Sequence, residues 1–263
     1  MELIEAKQIL DYSRGFKYSS LQYCETDDIL NYEILTNDNS SIMLISNGIN
    51  STKLHWAANN IESLINFITK INGSIYIEFI PPEFVDVLTS IGFIIHSEFM
   101  DFFNMNLENT ETTEINDGDI LFLKPDECEK ASQLTKDCKN DSRGFYGDST
   151  EWFSEWISSE HGKVIILKDE DKLLGLSCVS LYDFENEKGP ILWIREIVVR
   201  SEHRGKGLGK KLFELAIAYG KSVGAKRGFL LCDVENKNAI GLYNKYGFFA
   251  KEGRGQINMI RSI

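Results

Sequence analysis

Positive charge is in short supply: 28 lysines and arginines stand against 40 aspartates and glutamates, a formal charge of −12. A general nucleic-acid binder needs a basic surface to displace counterions, so that class is excluded, although a local basic pocket for an anionic cofactor is not. Histidine is scarce as well. His55, His96, His161 and His203 are scattered without an HxxxH pattern, and the five cysteines (Cys24, Cys128, Cys138, Cys178, Cys232) form no CxxC pair. No zinc or other metal site is therefore expected, and the cysteines read as small buried hydrophobes in a reduced, cytoplasmic protein. No apolar run approaches the roughly 18 residues of a membrane span. Glu2, Glu5, Lys7, Asp11 and Arg14 break up the first twenty residues, so the apolar core of a signal peptide is missing.

A hydrophobic content of 43% over 263 residues suits a folded chain of one large domain or two small ones. The clearest change of composition is the acidic, threonine-rich Leu107–Gly118, which reads as a linker between residues 1–108 and 118–263. Beyond it, strand and helix signals alternate: a strand at Asp119–Leu123, helices at Pro125–Asn140 and Thr150–Glu160, antiparallel strands at Val164–Lys168 and Leu173–Asp183, and a β-branched strand at Ile191–Val199. A helix to about Val223 follows, with Leu208, Leu212, Leu215, Tyr219 and Val223 on one face. Phe229–Val234 is a strand, Asn238–Tyr246 a helix ended by Gly247, and Phe248–Ile263 a last strand or hairpin. The first half closes in the same way, with a strand at Ser74–Ile80, a helix from Pro81-Pro82 to Ser90, then Gly92-Phe93 and a strand ending Asn104-Met105. Helix, Gly-Phe and a strand with Asn-Met thus occur twice, which reads as an internal repeat.

The chemistry points to Ser201-Glu-His-Arg204-Gly205-Lys206-Gly207-Leu208-Gly209-Lys210-Lys211, a glycine-rich loop between a strand and a helix. The first amides of a helix lack helical partners and the helix dipole favours an anion there, so a phosphate is the natural guest. The loop is not a Walker loop, which needs GxxxxGK[ST], and its GxGxG spacing is not the Rossmann GxGxxG.

Arg204-Gly-Lys-Gly207-Leu-Gly209 resembles the R/Q-x-x-G-x-G/A loop of the GNAT acetyltransferase superfamily. Glu196-Ile-Val-Val199 looks like the end of that family's central strand, and Asn236 through Phe248 resembles its N-x-x-A-x-x-L-Y-x-x-x-G-F segment. The match is convincing over Trp193–Phe248, and the order of strands extends it back to Asp119. The fold implied is α/β (α+β), a mixed central sheet flanked by helices. Two tandem halves are expected: a degenerate N-terminal domain (1–108) without a phosphate loop, and a catalytic domain (118–263). The degenerate half would shape the acceptor pocket or the interface between halves.

The activity implied is acetyl transfer from acetyl-CoA to a primary amine of a small molecule or peptide. The alternative is a non-catalytic module that binds or senses acyl-CoA. By resemblance, the loop amides of Arg204, Gly205, Lys206, Gly207, Leu208, Gly209 and Lys210 hold the diphosphate. The backbone of Ile197, Val198 and Val199 pairs with the pantetheine arm, Asn236 lines that arm, and Tyr243 lies near the sulfur and protonates the departing thiolate. A backbone N–H near Val198 is a candidate oxyanion donor. Glu196 shares a strand face with Val198 and is the candidate base, or else pairs with Arg195. Asp233 is a secondary candidate. Some relatives place a glutamate base five residues before the asparagine, where this chain has Leu231. Trp152, Phe153 and Trp156 either wall the acceptor site or pack in the core. No nucleic-acid or membrane partner is expected, and a homodimer is allowed.

Overall fold

The computed structural model describes residues 1–48, 51–115 and 117–262. They divide into two compact units, Met1–Glu98 with Gln256–Ile263, and Phe99–Gly255. No described helix is long and apolar enough to cross a membrane.

The first unit runs α1 (Leu3–Ser13), β1 (Tyr18–Ser19), α2 (Thr26–Ile29), β2 (Glu33–Asn37), β3 (Ser41–Asn47), β4 (Thr52–Ala58), α3 (Ile61–Ile68), β5 (Ile75–Ile77), α4 (Val85–Ser90) and the start of β6 (Ile94–Asn104). Strands β2, β3 and β4 form an antiparallel meander, and β5 joins β4 in parallel. Alternation along β3 divides the core in two: Ile42 and Leu44 meet α1 and α2, whereas Met43 packs with Leu64, Ile68 and Phe84 from the opposite face. The β4–β5 pairing stops after Thr52↔Ile75, Lys53↔Tyr76 and Leu54↔Ile77. Beyond that point the free edge of β4 is filled by the chain itself. β1 pairs there with Ala57 and Ala58, the Trp56 amide donates to Ser20 Oγ (2.9 Å), and the Trp56 carbonyl accepts from the Ser20 amide (2.8 Å). The fully buried Trp56 indole donates across to the Glu78 carbonyl (3.0 Å).

The second unit runs from the rest of β6 through β7 (Leu121–Phe122), α5 (Cys128–Asp137), α6 (Thr150–Ser158), β8 (Lys163–Asp169), β9 (Lys172–Tyr182), β10 (Ile191–Val199), α7 (Leu208–Ser222), β11 (Arg227–Asp233), α8 (Lys237–Lys245) and the start of β12 (Phe249–Arg261). Its strand order is β6-β11-β10-β9-β8-β7, with β10 and β11 parallel and the other pairs antiparallel. Helices α7 and α8 cover one face and α5 and α6 the other. The end of β12 returns to the first unit, pairing Met259 with Ile77.

Three expectations change. The acidic stretch from Leu107 is no free linker: it belongs to the second unit, where Leu107 is fully buried and its amide donates to the Lys226 carbonyl (2.9 Å). Asn116 within that stretch, and Ile263 of the last strand, lie outside the described residues. On α7 the buried face is Leu212, Phe213, Leu215, Ala216, Ile217 and Gly220, wider than the expected stripe, and Val223 is 45% exposed. Among the cysteines, Cys24 is only half-buried, the other four being buried.

The repeat is visible in local geometry. Gly92 (φ 95°) and Gly247 (φ 76°) end α4 and α8. The following phenylalanine amides donate back to Leu88 and Tyr243 respectively, each at 3.1 Å. Leu88 therefore stands in the first unit where Tyr243 stands in the second.

Candidate active site

In the second unit β10 and β11 also pair for only three residues, Ile191↔Arg227, Leu192↔Gly228 and Trp193↔Phe229, and then part. Just beyond the fork, the β10–β9 register shifts between Ile194 and Glu196. Such a bulge reverses which face later side chains occupy. Leu192 and Ile194 face α7, whereas Val198 packs with α5 and α6. Glu196, aligned with Cys178 as Val198 is with Leu176, shares that second face. Without the bulge, its carboxyl would point into the apolar layer beneath α7.

The backbone of the freed edge alternates. Arg200 donates its amide to the Leu174 carbonyl on β9 (2.9 Å), so the amide of Val198 also faces β9 and those of Ile197 and Val199 face the fork. Expected near Val198, the free donors are thus its two neighbours. The Val199 carbonyl accepts from Arg204 Nε (3.0 Å) and lies 3.7 Å from Cys138 Sγ.

The loop follows. Gly205 (φ 73°) and Gly207 (φ 80°) adopt left-handed backbone that lets the chain turn into α7, with Gly207 at its N-cap. A Cβ built on Gly205, Gly207 or Gly209 would meet nothing within 4 Å. None of the amides from Gly205 to Lys210 donates to a protein acceptor among the described residues; the first bonded one is Lys211, to the Gly207 carbonyl (3.0 Å). The Arg204 amide is used, donating to the Ser201 carbonyl (3.2 Å), so the free run starts one residue later than expected. The Lys210 ammonium is also occupied. It bonds both oxygens of Glu214 at 3.1 Å, and that buried carboxyl further accepts from Tyr246 Oη (2.7 Å) and Thr113.

Around the fork lie Glu196, Tyr243 and a strap that the sequence did not reveal. The Glu196 pKa is pushed up to about 7, by burial first; Asp148 adds to the rise and Arg195 opposes it. The Glu196–Arg195 approach is only 3.8 Å, because the Arg195 guanidinium is held by Asp148 (3.0 and 3.2 Å) and stacks on Trp152 (4.2 Å). The Tyr243 ring packs on Phe213 (4.9 Å) and burial, then Cys232 and Glu196, raise its pKa. Its hydroxyl has no hydrogen-bond partner among the described residues.

The strap is the α5–α6 connection, which sequence showed only as turn residues. Asp141 pairs with Arg204, Arg143 grips Asp233 at 2.8 and 2.6 Å and Glu235 at 3.1 Å, and Asp148 holds Arg195. Arg143 removes Asp233 from candidacy as a base. Burial alone would raise that carboxyl, but hydrogen bonds from Arg143 and the Glu235 amide and the Arg143 charge outweigh it, holding the pKa below the ordinary range. Asn236 caps α8 through the Ala239 amide (3.2 Å) and is exposed. Phe153 is a core residue, fully buried, while the half-buried Trp152 and Trp156 stack at 4.9 Å beside Arg195. Among the described residues no group of three His, Cys, Asp or Glu side chains could hold a metal ion.

Residues 129–248 match the Acetyltransferase (GNAT) family. The chain is 31% identical over 115 residues to an uncharacterized N-acetyltransferase of Methanocaldococcus jannaschii, covering 43% of this chain and 51% of that protein. It is 32% identical over 90 residues to the spermine/spermidine N(1)-acetyltransferase of Bacillus subtilis, covering 33% of this chain and 59% of the relative. The chain thus spans from 30% to 59% of the length of the curated relatives it matches. In fold it is similar to the crystal structure of a GCN5-related N-acetyltransferase from Sphaerobacter thermophilus, with a TM-score of 0.59 at 13% identity over 99% of this chain and 90% of that one. The likeness in fold takes in both units, and the match to the Acetyltransferase (GNAT) family lies in the second, over residues 129–248.

Proposed function

We propose that the protein transfers an acetyl group from acetyl-CoA to a primary amine. The observation that carries this is the run of unbonded amides from Gly205 to Lys210 at a helix N-terminus, opening beside a strand edge whose Ile197 and Val199 amides are also free. Such an array suits a diphosphate followed by an amide-bearing arm, so the residues present fit coenzyme A. When bound, the group supplies an activated acyl thioester.

The chain's own residues then have distinct tasks. The loop amides and the N-terminal dipole of α7 bind the diphosphate; the Arg204 guanidinium, fixed by Asp141 and the Val199 carbonyl, shapes the loop. The free amides of Ile197 and Val199 orient the arm and offer hydrogen bonds to a carbonyl oxygen. Asn236, at the start of α8, lines the arm. Glu196, poised near neutrality, accepts the proton of an incoming ammonium, directly or through water. Tyr243 keeps its proton because its pKa is raised, so its hydroxyl serves the sulfur as a hydrogen-bond donor more readily than as a source of a full proton.

The acceptor we assign is a small cationic amine. With Arg195 neutralised by Asp148, an ionised Glu196 leaves the site net negative. One relative, 32% identical over 90 residues, is by name a spermine/spermidine N(1)-acetyltransferase, whose named acceptors are cationic amines. The test is calorimetry with coenzyme A followed by thiol release from acetyl-CoA over a panel of amines. Micromolar binding and amine-dependent release are expected. Binding without release on any amine would leave a sensing module, and absence of binding would overturn the assignment.

A further inference from the structure

The second unit holds a cavity of about 1040 Å³ at the opposite end of its strands from the glycine loop. It is lined where β10 and β11 begin (Ile191, Arg227) and β6 ends (Asn104), whereas the loop follows the last residue of β10.

The lining is cationic in an acidic protein. Lys188, Arg227, Lys245 and Lys251 stand against Glu111 alone. Of the acids nearby, Asp183 is engaged by Arg227 (2.9 Å) and Glu108 by Lys226 (2.6 Å), while Glu187 and Glu252 adjoin Lys188 and Lys251 in sequence without lining the cavity. None of the three lysines makes an ion pair with a carboxylate among the described residues; Lys251 instead sits 5.6 Å from the Phe103 ring centre.

Arg227 gives the cavity a built element. It is only 8% exposed, and its Nε and Nη2 are held by the Gly189 carbonyl and Asp183. Its Nη1 has no protein partner among the described residues. A guanidinium immobilised on one side keeps its remaining donors for an anion at little entropic cost. Beside these cations the wall mixes asparagines and Thr110 with apolar residues, of which Met105 (59%) and Phe249 (60%) are largely exposed. A group of cations next to an exposed aromatic ring and a thioether matches a ligand with an anionic head and a flat apolar body, and the volume suits a small molecule.

We infer that this cavity is a second ligand site, binding a small carboxylate or phosphate monoester that carries an aromatic or apolar body. It is independent of the acyl-transfer reading, since none of its lining residues belongs to the glycine loop or the fork.

Titration calorimetry of the full chain with naphthoate, naphthyl phosphate and neutral naphthamide tests it. One or both anions are expected to bind at millimolar concentration or below, the two arms distinguishing carboxylate from phosphate, and naphthamide at least about tenfold more weakly. The triple variant Lys188→Glu, Lys245→Glu, Lys251→Glu is expected to weaken the anion at least about tenfold with its unfolding midpoint unchanged; the milder Lys245→Gln, Lys251→Gln pair provides the same reading if the triple variant unfolds. Equal affinity for naphthamide, full affinity in a folded lysine variant, or no binding of either anion at several millimolar would each overturn the site.

Discussion

Replacing Glu196 with glutamine separates two effects of one partly buried carboxyl. Its pKa of about 7 stands above the ordinary 4.5, with burial the main cause. Because the folded form holds its proton more tightly than the unfolded chain does, the group is neutral and harmless below pH 4.5. Folding stability then falls as pH rises, with the full penalty reached above pH 7. The penalty works out to about 1 kcal/mol at pH 5 and about 3 kcal/mol at pH 8. Glutamine keeps the shape and carries no charge, so Glu196→Gln should match the parent in acid and exceed it by about 3 kcal/mol at pH 8. For a unit of this size that is roughly 6–12 °C in unfolding midpoint, read by calorimetry at a series of pH values. The same variant should lose acetyl transfer, and the parent kcat/KM should rise with pH through an apparent pKa near 7, a limb absent from the variant. A stability difference that does not change between pH 5 and pH 8 would refute the reasoning, as would a parent profile with no limb near neutrality. A gain in stability coupled to a loss of rate is what a charge kept in place for chemistry predicts.

The other predictions concern the rest of the site. Tyr243→Phe should lower kcat by roughly a hundredfold with coenzyme A affinity unchanged, measured by steady-state kinetics and calorimetry; equal loss of both would make the ring a packing residue only. Gly207→Val places a β-branched residue at φ 80° and a side chain in the open cradle, so coenzyme A binding should weaken at least about tenfold while the far-ultraviolet spectrum is retained. Calorimetric stoichiometry should be one coenzyme A per chain, because the freed β4 edge in the first unit is already paired with Ser20; a value near two would contradict that account.

Much of the second unit was legible because its signals are local. The β-branched run Ile191–Val199 is a strand with those bounds, and glycine spacing located both the turn into α7 and the end of α8. Pairings distant in sequence were not legible. Asp233 looked free to act as a base until Arg143, ninety positions away, proved to hold it at 2.6 Å. The bulge at Glu196 has no residue signature, yet it decides which face the carboxyl occupies. The Lys210 ammonium is held by Glu214, which Tyr246 and Thr113 also bond, and only the i+4 spacing of Glu214 hinted at that. Leu107 was lost among acidic neighbours because composition averages over a window, and a single buried leucine anchors the segment.

The two units show how one arrangement can be kept open or closed. A parallel pair that separates after three registers leaves main-chain donors and acceptors exposed on both strands, and an unpaired edge invites the wrong partner. The first unit resolves this internally: β1 completes the β4 edge, Trp56 spans to the Glu78 carbonyl, and Leu88 stands where a hydroxyl would be needed. The second unit leaves the edge, the loop amides and the Tyr243 hydroxyl unpaired together, while Arg143, Asp141 and Asp148 secure the chain around them. Closing that fork would have required only a short strand, as β1 demonstrates. It stays open at the same place where a glutamate is held near neutrality; in the function proposed above, the ligand supplies the missing strand and its reacting end comes between Glu196 and Tyr243.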